Sequence, residues 1–408
     1  MAEATEVSVL GAGAAGFFAA TRAAQRGQQV LLLEKNRKPG VKILMSGGTR
    51  CNLTQATDRR GIVEAFGKQG RFLHSALAAL GPDELVALFE AEGVATKVEP
   101  TGKIFPVSDR AVDVLEAMQR MLVSSGATLR LEQPVLEIER TSTGFVIRTP
   151  SGHIASKKTV LTAGGQSYPG CGTTGDGYAW AKRLGHKIVP PRPALVPLLS
   201  DARWVQELSG VTVPDVGVKI VEGDESTAKP QAMGRGSFLF THFGLSGPVV
   251  MDVSRAVTAR PDSSAWHAVC DFLPNIDEQA LCDSIATGKQ TVLAVVTQWL
   301  PKRLVEALFL QADVPVDCRV AELSKQSRNQ VLRVLKRTPI PIRGSQGFKK
   351  AEVTAGGVDL SEVDSKTMQS KICPGLYFAG EILDLDGPIG GYNFQAAFST
   401  GWLAGESV

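Results

Sequence analysis

The stretch Val7-Ser-Val-Leu-Gly-Ala-Gly-Ala-Ala-Gly-Phe17 decides how the rest of the chain is read. Val7 to Leu10 are apolar with one serine, and Phe17 to Gln25 is alanine-rich with apolar residues at helical spacing, so strand, turn and helix follow one another. Between strand and helix, Gly11-x-Gly13-x-x-Gly16 supplies what a pyrophosphate requires. Gly11 allows a sharp turn, Gly13 a close backbone approach, and Gly16 lets the helix pack on the strand. The helix start, with Ala12, Ala14 and Ala15, turns N–H groups and a positive dipole end toward the phosphates. A second strand, Gln29-Val-Leu-Leu-Leu33, ends in Glu34, eighteen residues after Gly16. An acid there accepts both ribose hydroxyls and repels a 2′-phosphate. The unit predicts an ADP-binding βαβ fold, and alone it does not separate FAD from NAD.

Later segments bear on that choice. Lys35-Asn-Arg-Lys-Pro-Gly-Val-Lys-Ile-Leu-Met-Ser-Gly-Gly-Thr-Arg-Cys-Asn-Leu-Thr54 is a basic, glycine-containing loop where an ordinary NAD domain would begin its next helix. Its cations suit a buried phosphate or an anionic flavin. Lys158-Thr-Val-Leu-Thr-Ala-Gly-Gly165 and Cys373-Pro-Gly-Leu-Tyr-Phe-Ala-Gly-Glu381 are two strands closing on Ala-Gly-Gly and Ala-Gly-Glu. Both resemble the secondary FAD signatures of two-dinucleotide-fold flavoproteins, in which the acid, here Glu381, bonds the ribityl chain.

Four separated motifs narrow the resemblance. Ser46-Gly-Gly-Thr-Arg-Cys-Asn-Leu-Thr54, Ser167-Tyr-Pro to Thr174-Gly-Asp-Gly177, Leu239-Phe-Thr-His-Phe-Gly-Leu-Ser-Gly-Pro248 and Gly380-Glu-Ile-Leu-Asp-Leu-Asp-Gly-Pro-Ile-Gly-Gly-Tyr-Asn-Phe-Gln395 look like the BaiN-type, aminoacetone-oxidase-type FAD-dependent oxidoreductases, along essentially the whole chain. The resemblance implies an α/β fold: a Rossmann-like FAD-binding domain made from both chain ends, with an inserted β-barrel-like plus helical lobe. The expected boundaries are 1–190 and 340–408 for the FAD-binding domain, 191–275 for the β part and 276–339 for the helical part. Pro190-Pro-Arg-Pro-Ala-Leu-Val-Pro197 reads as a semi-rigid exit from the first part. Residues 211–221 and 237–254 alternate as strands do, and the pattern from Asp277 to Lys336 is helical.

Composition bounds the partners. Forty-four basic and 41 acidic residues leave a net charge of +3, too balanced to make nucleic acid or an anionic membrane the expected partner, so a small-molecule substrate is expected. The six cysteines form no C-x-x-C pair and none stands at zinc-ligand spacing to a histidine, which argues against a redox dithiol or a metal. The acidic N-terminus has no leader character and no apolar run reaches membrane-spanning length, so a cytoplasmic protein is expected. The oligomeric state stays open.

Expected cofactor contacts comprise Gly11 to Gly16, Glu34, Lys35, Lys42, Ser46, Gly47, Gly48, Arg50, Cys51, Asn52, Val135, Ala163, Gly164, Gly175, Asp176, Gly380, Glu381, Gly391, Tyr392, Asn393 and Phe394. Lys42 and Arg50 flank the Ser-Gly-Gly turn, where either can neutralise the pyrophosphate or face the flavin. Cys51, without a partner thiol, suits packing better than disulfide chemistry. Gly390-Gly-Tyr-Asn-Phe394 reads as glycines opening a C-terminal helix whose N–H groups would stabilise reduced flavin, with Asn393 reaching it. Gly170-Cys-Gly-Thr-Thr-Gly175 repeats the dinucleotide pattern, but no strand runs into it. No catalytic residue is assigned; His242, Tyr392 and Lys42 are the candidate proton donors, and the other histidines carry no comparable motif.

The function expected is an FAD-dependent oxidoreductase, reduced by NAD(P)H and passing hydride to a small organic acceptor. Three alternatives stay open: a flavin amine oxidase using O2, a tRNA-modifying flavoprotein footed on the basic cluster Lys325, Arg328, Arg333, Lys336 and Arg337, and a non-catalytic FAD redox sensor.

Overall fold

The computed structural model describes residues 3–225, 227–260 and 265–408. The chain forms two compact units, Met1–Arg192 with Val353–Val408, and Pro193–Glu352.

The first unit is built on five parallel strands in the order Thr128–Arg130, Val30–Leu33, Glu3–Leu10, Gly152–Leu161, Leu376–Phe378. Buried Val, Leu and Phe residues fill the central strands, as a sheet covered on both faces requires. The long strand Gly152–Leu161 has two partners along one edge. Gly152 to Ser156 pair antiparallel with the hairpin strand Gly144–Thr149, while Thr159 to Leu161 take Leu376–Phe378. Register sets the site: Leu10 stands opposite both Leu33 and Leu161, and Leu161 opposite Phe378. Four carboxyl ends therefore finish level, and the turns at Gly11, Glu34, Thr162 and Ala379 leave the sheet along one line. Helices Ala14–Gln25 and Tyr392–Ser407 pack together through Phe18 and Phe398, whose rings lie 4.5 Å apart.

The second unit carries a seven-stranded antiparallel sheet in the order Thr338–Ile342, Trp266–Asp271, Thr212–Glu222, Ala232–Thr241, Gly244–Ser246, Leu198–Leu199, Gly344–Ser345. Its two end strands are separated in the chain by Arg343 alone, so the sheet curls back on itself, and no closed barrel is formed by the described pairings. Helices Glu278–Ser284, Val292–Val296, Lys302–Gln311 and Lys325–Lys336 follow, three of them capped by the side chains of Asp277, Thr291 and Ser324.

Two local expectations are corrected. Residues 237–254 do not alternate as strand throughout, because Pro248–Thr258 is a helix. Proline at its first position suits a helix start, and Val249, Val250, Val253 and Val257 bury one helical face. The proline-rich exit is itself a strand, Ile188–Ala194, in a two-stranded sheet with Val353–Val358, where a strand without an inner position tolerates the missing N–H groups. Among the described residues, no single helix is long and apolar enough to cross a membrane.

Candidate functional site

The level carboxyl ends of the first unit bring the glycine turn, Glu34, Ala163 and Glu381 to one edge of the sheet. Gly11 sits at φ +111°, donates to Leu33 O at 2.8 Å, and a methyl group added there would lie 2.7 Å from Thr162 O. At Gly16 the added carbon would lie 1.8 Å from Gly11 O, so helix and strand touch through backbone. At Gly13 no protein atom comes within 4 Å of it. The first intrahelical bond runs from Phe17 N to Gly13 O, which leaves the preceding N–H groups at Ala14, Ala15 and Gly16 pointing out of the helix end. Open room beside Gly13, facing a turn of outward N–H donors, fits a pyrophosphate, so the residues present suit a dinucleotide cofactor.

Glu34 is buried and already oriented: Oε2 accepts from Ala12 N at 2.8 Å and Oε1 from Asn36 N at 2.9 Å. The Ala12 N–H is thus used by Glu34. Each carboxylate oxygen keeps lone pairs for ribose hydroxyls. Gln133 N donates to Glu34 O, which runs the segment bearing half-buried Val135 beside the same turn. Lys35 does not reach toward phosphate in this structure. Its Nζ bonds Asp176 at 2.6 Å and Thr174 at 2.7 Å, and Asn36 donates to Cys171 O, tying the second glycine-rich loop to the first. That loop is entered through a short 3-10 turn, Pro169–Cys171, and Gly175 opens the helix Asp176–Arg183.

Glu381, from the loop after Leu376–Phe378, is held by three groups distant in sequence. Oε2 takes Lys42 Nζ at 2.5 Å; Oε1 takes Ser167 Oγ at 2.6 Å and Thr354 N at 2.8 Å. Lys42 Nζ also donates to Ser167 Oγ at 2.8 Å, and Thr354 Oγ1 accepts from Gln166 N and Ser167 N. Ser167 stands in one of the family-like motifs without an assigned role and Thr354 in none, since nothing local marks either as a ligand of an acid more than twenty residues away.

Between Ser46 and Thr54 the backbone is tightly wound. Gly47, Gly48, Thr49 and Cys51 all have positive φ, and Cys51 N donates to Ser46 O. Strain of this kind gathers where a loop must hold a fixed shape. Arg50 is paired with Glu99 at 2.6 Å and with Asp109, and its guanidinium lies 4.0 Å over the Phe105 ring. It therefore braces the loop against neighbouring carboxylates, while Lys42 takes Glu381. Burial pushes the Cys51 thiol up to about 12, leaving a neutral, packed side chain. The Asn52 amide bridges Thr54 O and Gly391 N, each at 2.9 Å.

The C-terminal helix begins at Gly391, with φ +94°, and its first bond runs from Gln395 N to Gly391 O. N–H groups at Tyr392, Asn393 and Phe394 therefore precede the first intrahelical bond. The Asn393 side chain turns back on its own loop: Oδ1 accepts from Gly387 N at 2.7 Å and Nδ2 donates to Gly387 O and Pro388 O. It shapes that loop where the sequence led one to expect a direct reach to the flavin. His242 lies exposed in the second unit, in the turn between Ala232–Thr241 and Gly244–Ser246, edge-on to Phe243.

The HI0933-like protein Rossmann domain matches residues 5–407. The chain belongs to this family. Ribosomal RNA dihydrouridine synthase of Escherichia coli is 34% identical over 98% of this chain and 97% of its own length. The 3-dehydro-bile acid delta(4,6)-reductase of Clostridium scindens is 31% identical over 98% of both chains. In fold, the chain is similar to 3-ketosteroid delta1-dehydrogenase from Sterolibacterium denitrificans, with a TM-score of 0.51, 15% identity and coverage of 100% of this chain and 99% of that one. This HI0933-like protein is an FAD-dependent oxidoreductase with a Rossmann-like α/β fold. The first relative's name runs against the expectation, drawn from net charge, that no nucleic acid is involved.

Proposed function

We propose that this protein reduces the carbon–carbon double bond of a uracil base in ribosomal RNA, with NAD(P)H as electron donor and FAD as cofactor. The observation supporting it is the 34% identity to ribosomal RNA dihydrouridine synthase across nearly the full length of both proteins. Making dihydrouridine adds a hydride to one carbon of the double bond and a proton to the other, while the dihydronicotinamide loses its hydride. Bound FAD supplies the hydride chemistry.

This chain's residues bind and orient. The turn Gly11 to Gly16 receives the pyrophosphate, Glu34 the ribose, and Glu381, fixed by Lys42, Ser167 and Thr354, the ribityl hydroxyls. The positive end of helix Tyr392–Ser407 would favour negative charge on a reduced flavin bound before it. Lys42 is engaged with Glu381 and Ser167, so Tyr392 is the better candidate in this unit to hand over the proton.

A second reading has its own support. The bile-acid relative's name describes reduction of double bonds in a 3-oxo compound, where, as in uracil, the bond is conjugated to a carbonyl. Anaerobic spectroscopy separates them. The flavin is bleached with NADH or NADPH, then offered unmodified ribosomal RNA or a 3-oxo-4-ene. Return of the oxidised spectrum with RNA supports the first reading; return with the enone alone supports the second. A flavin that neither nicotinamide bleaches removes NAD(P)H as donor.

A further inference from the structure

We propose that the outward face of helix Lys325–Lys336 is the surface on which the RNA substrate docks. The inference rests on RNA being the substrate. The helix reads Lys-Gln-Ser-Arg-Asn-Gln-Val-Leu-Arg-Val-Leu-Lys and has no acid in twelve residues. Val331 and Leu335 are buried in the core of the second unit, with Leu332 and Val334 packed partly against it. On the other side, Lys325, Gln326, Asn329, Gln330 and Arg333 share one open surface.

The basic cluster thus divides in two. Lys336 is inward: its Nζ lies 2.8 Å from Asp271 and donates to Leu273 O and Ile276 O, so it staples the helix to the sheet. Arg337 pairs with Glu278 at 2.6 Å. Arg328 is half-buried, with its Nε enclosed, and does not belong to this face. Among the described residues, Lys325 has no acid within ion-pair distance, and Arg333 has only Glu225, at 3.9 Å. Lys325 and Arg333, both exposed, are the cations this face offers to phosphates.

Three amides set between these cations define the partner. Lysine and arginine neutralise phosphates without regard to sequence, whereas asparagine and glutamine carry donor and acceptor together and pair with base edges or the 2′-hydroxyl. An anionic membrane is met by cations together with apolar or aromatic side chains that insert, and this face presents none. Lys325 and Arg333 lie eight residues apart, about 12 Å along the helix, so they meet different phosphates of one strand. A balanced net charge does not exclude this, because docking depends on the local face.

The test uses the full-length holoprotein carrying Lys325→Gln and Arg333→Gln, which remove charge and keep hydrogen bonding. Binding of unmodified ribosomal RNA is measured against salt, and dihydrouridine formation against RNA concentration. The expected result is a KM for RNA raised by about tenfold, a salt slope shallower by about 1 to 2, and an unchanged kcat. Flavin content and bleaching by NAD(P)H stay as in the parent, and Lys325→Arg with Arg333→Lys restores the parent KM. An unchanged KM and salt slope, with normal flavin content, overturns the docking face. If the parent binds RNA through this face and forms no dihydrouridine, docking stands and the proposed reaction falls. If the parent does not bind RNA, both fall.

Discussion

Lys42 Nζ lies 2.5 Å from Glu381 Oε2, joining two residues 339 positions apart in the chain. Both side chains are mostly enclosed, and Ser167 bridges them. Hydrogen bonds to a charged group are the stronger kind, and losing one leaves the carboxylate poorly compensated. Lys42→Ala is expected to weaken FAD binding by about tenfold through a loosened Glu381, with Lys42→Arg recovering part of it. Fluorescence titration of the cofactor-free protein checks this; an unchanged Kd would remove Glu381 from the cofactor contacts.

Gly13 and Gly16 separate cofactor room from protein packing. A methyl group at Gly13 meets no protein atom, so Gly13→Ala should leave the melting temperature of the cofactor-free protein unchanged and abolish FAD retention. At Gly16 the methyl group strikes backbone at 1.8 Å. Gly16→Ala should destabilise the cofactor-free protein by about 3 kcal/mol or more. Equal retention of FAD by Gly13→Ala and the parent would move the pyrophosphate elsewhere.

What could be read from the sequence was local. Strand, turn, helix, strand and acid fall within Val7 to Glu34, and each glycine there has a role that spacing alone implies. Helix Pro248–Thr258 was misread because valines favour strands in isolation, and the helical spacing at 249, 253 and 257 is short. Lys35 with Asp176, Arg50 with Glu99, and Ser167 and Thr354 with Glu381 are pairings made by the fold between distant segments. No periodicity announces them.

Cys51 gives a prediction at alkaline pH. Its thiol rises from 9.0 to about 12 because burial disfavours the thiolate. The folded state therefore keeps a proton that the unfolded chain gives up near 9.0, so this contribution is full below that pH and is lost as pH rises toward about 12. In native protein at about pH 8, thiol reagents should spare Cys51 until the chain unfolds, and Cys51→Ala should keep its flavin and turnover. Rapid native labelling, or lost turnover with flavin retained, would restore a redox role.

His186 gives one at acid pH. Its ring has Glu362 Oε2 at 3.1 Å on Nδ1 and Ser370 Oγ at 2.9 Å on Nε2, and it stands edge-on to Phe378. Burial lowers its pKa below 6.5, with Glu362 opposing. A lowered histidine contributes stability above its unfolded value that is lost as pH falls. Acidification from about pH 7 to about pH 5 should lower the melting temperature more in the parent than in His186→Gln. Equal losses would show that this ring does not titrate on unfolding.

The most direct measurement is the dihydrouridine content of unmodified ribosomal RNA after incubation with purified holoprotein and NADH or NADPH, read by mass spectrometry of the digested nucleosides. Dihydrouridine that accumulates with the parent, and is absent with Gly13→Ala or without the nicotinamide, is the predicted result. RNA that stays unmodified while the same protein turns over a 3-oxo-4-ene would contradict it and make this a small-molecule reductase.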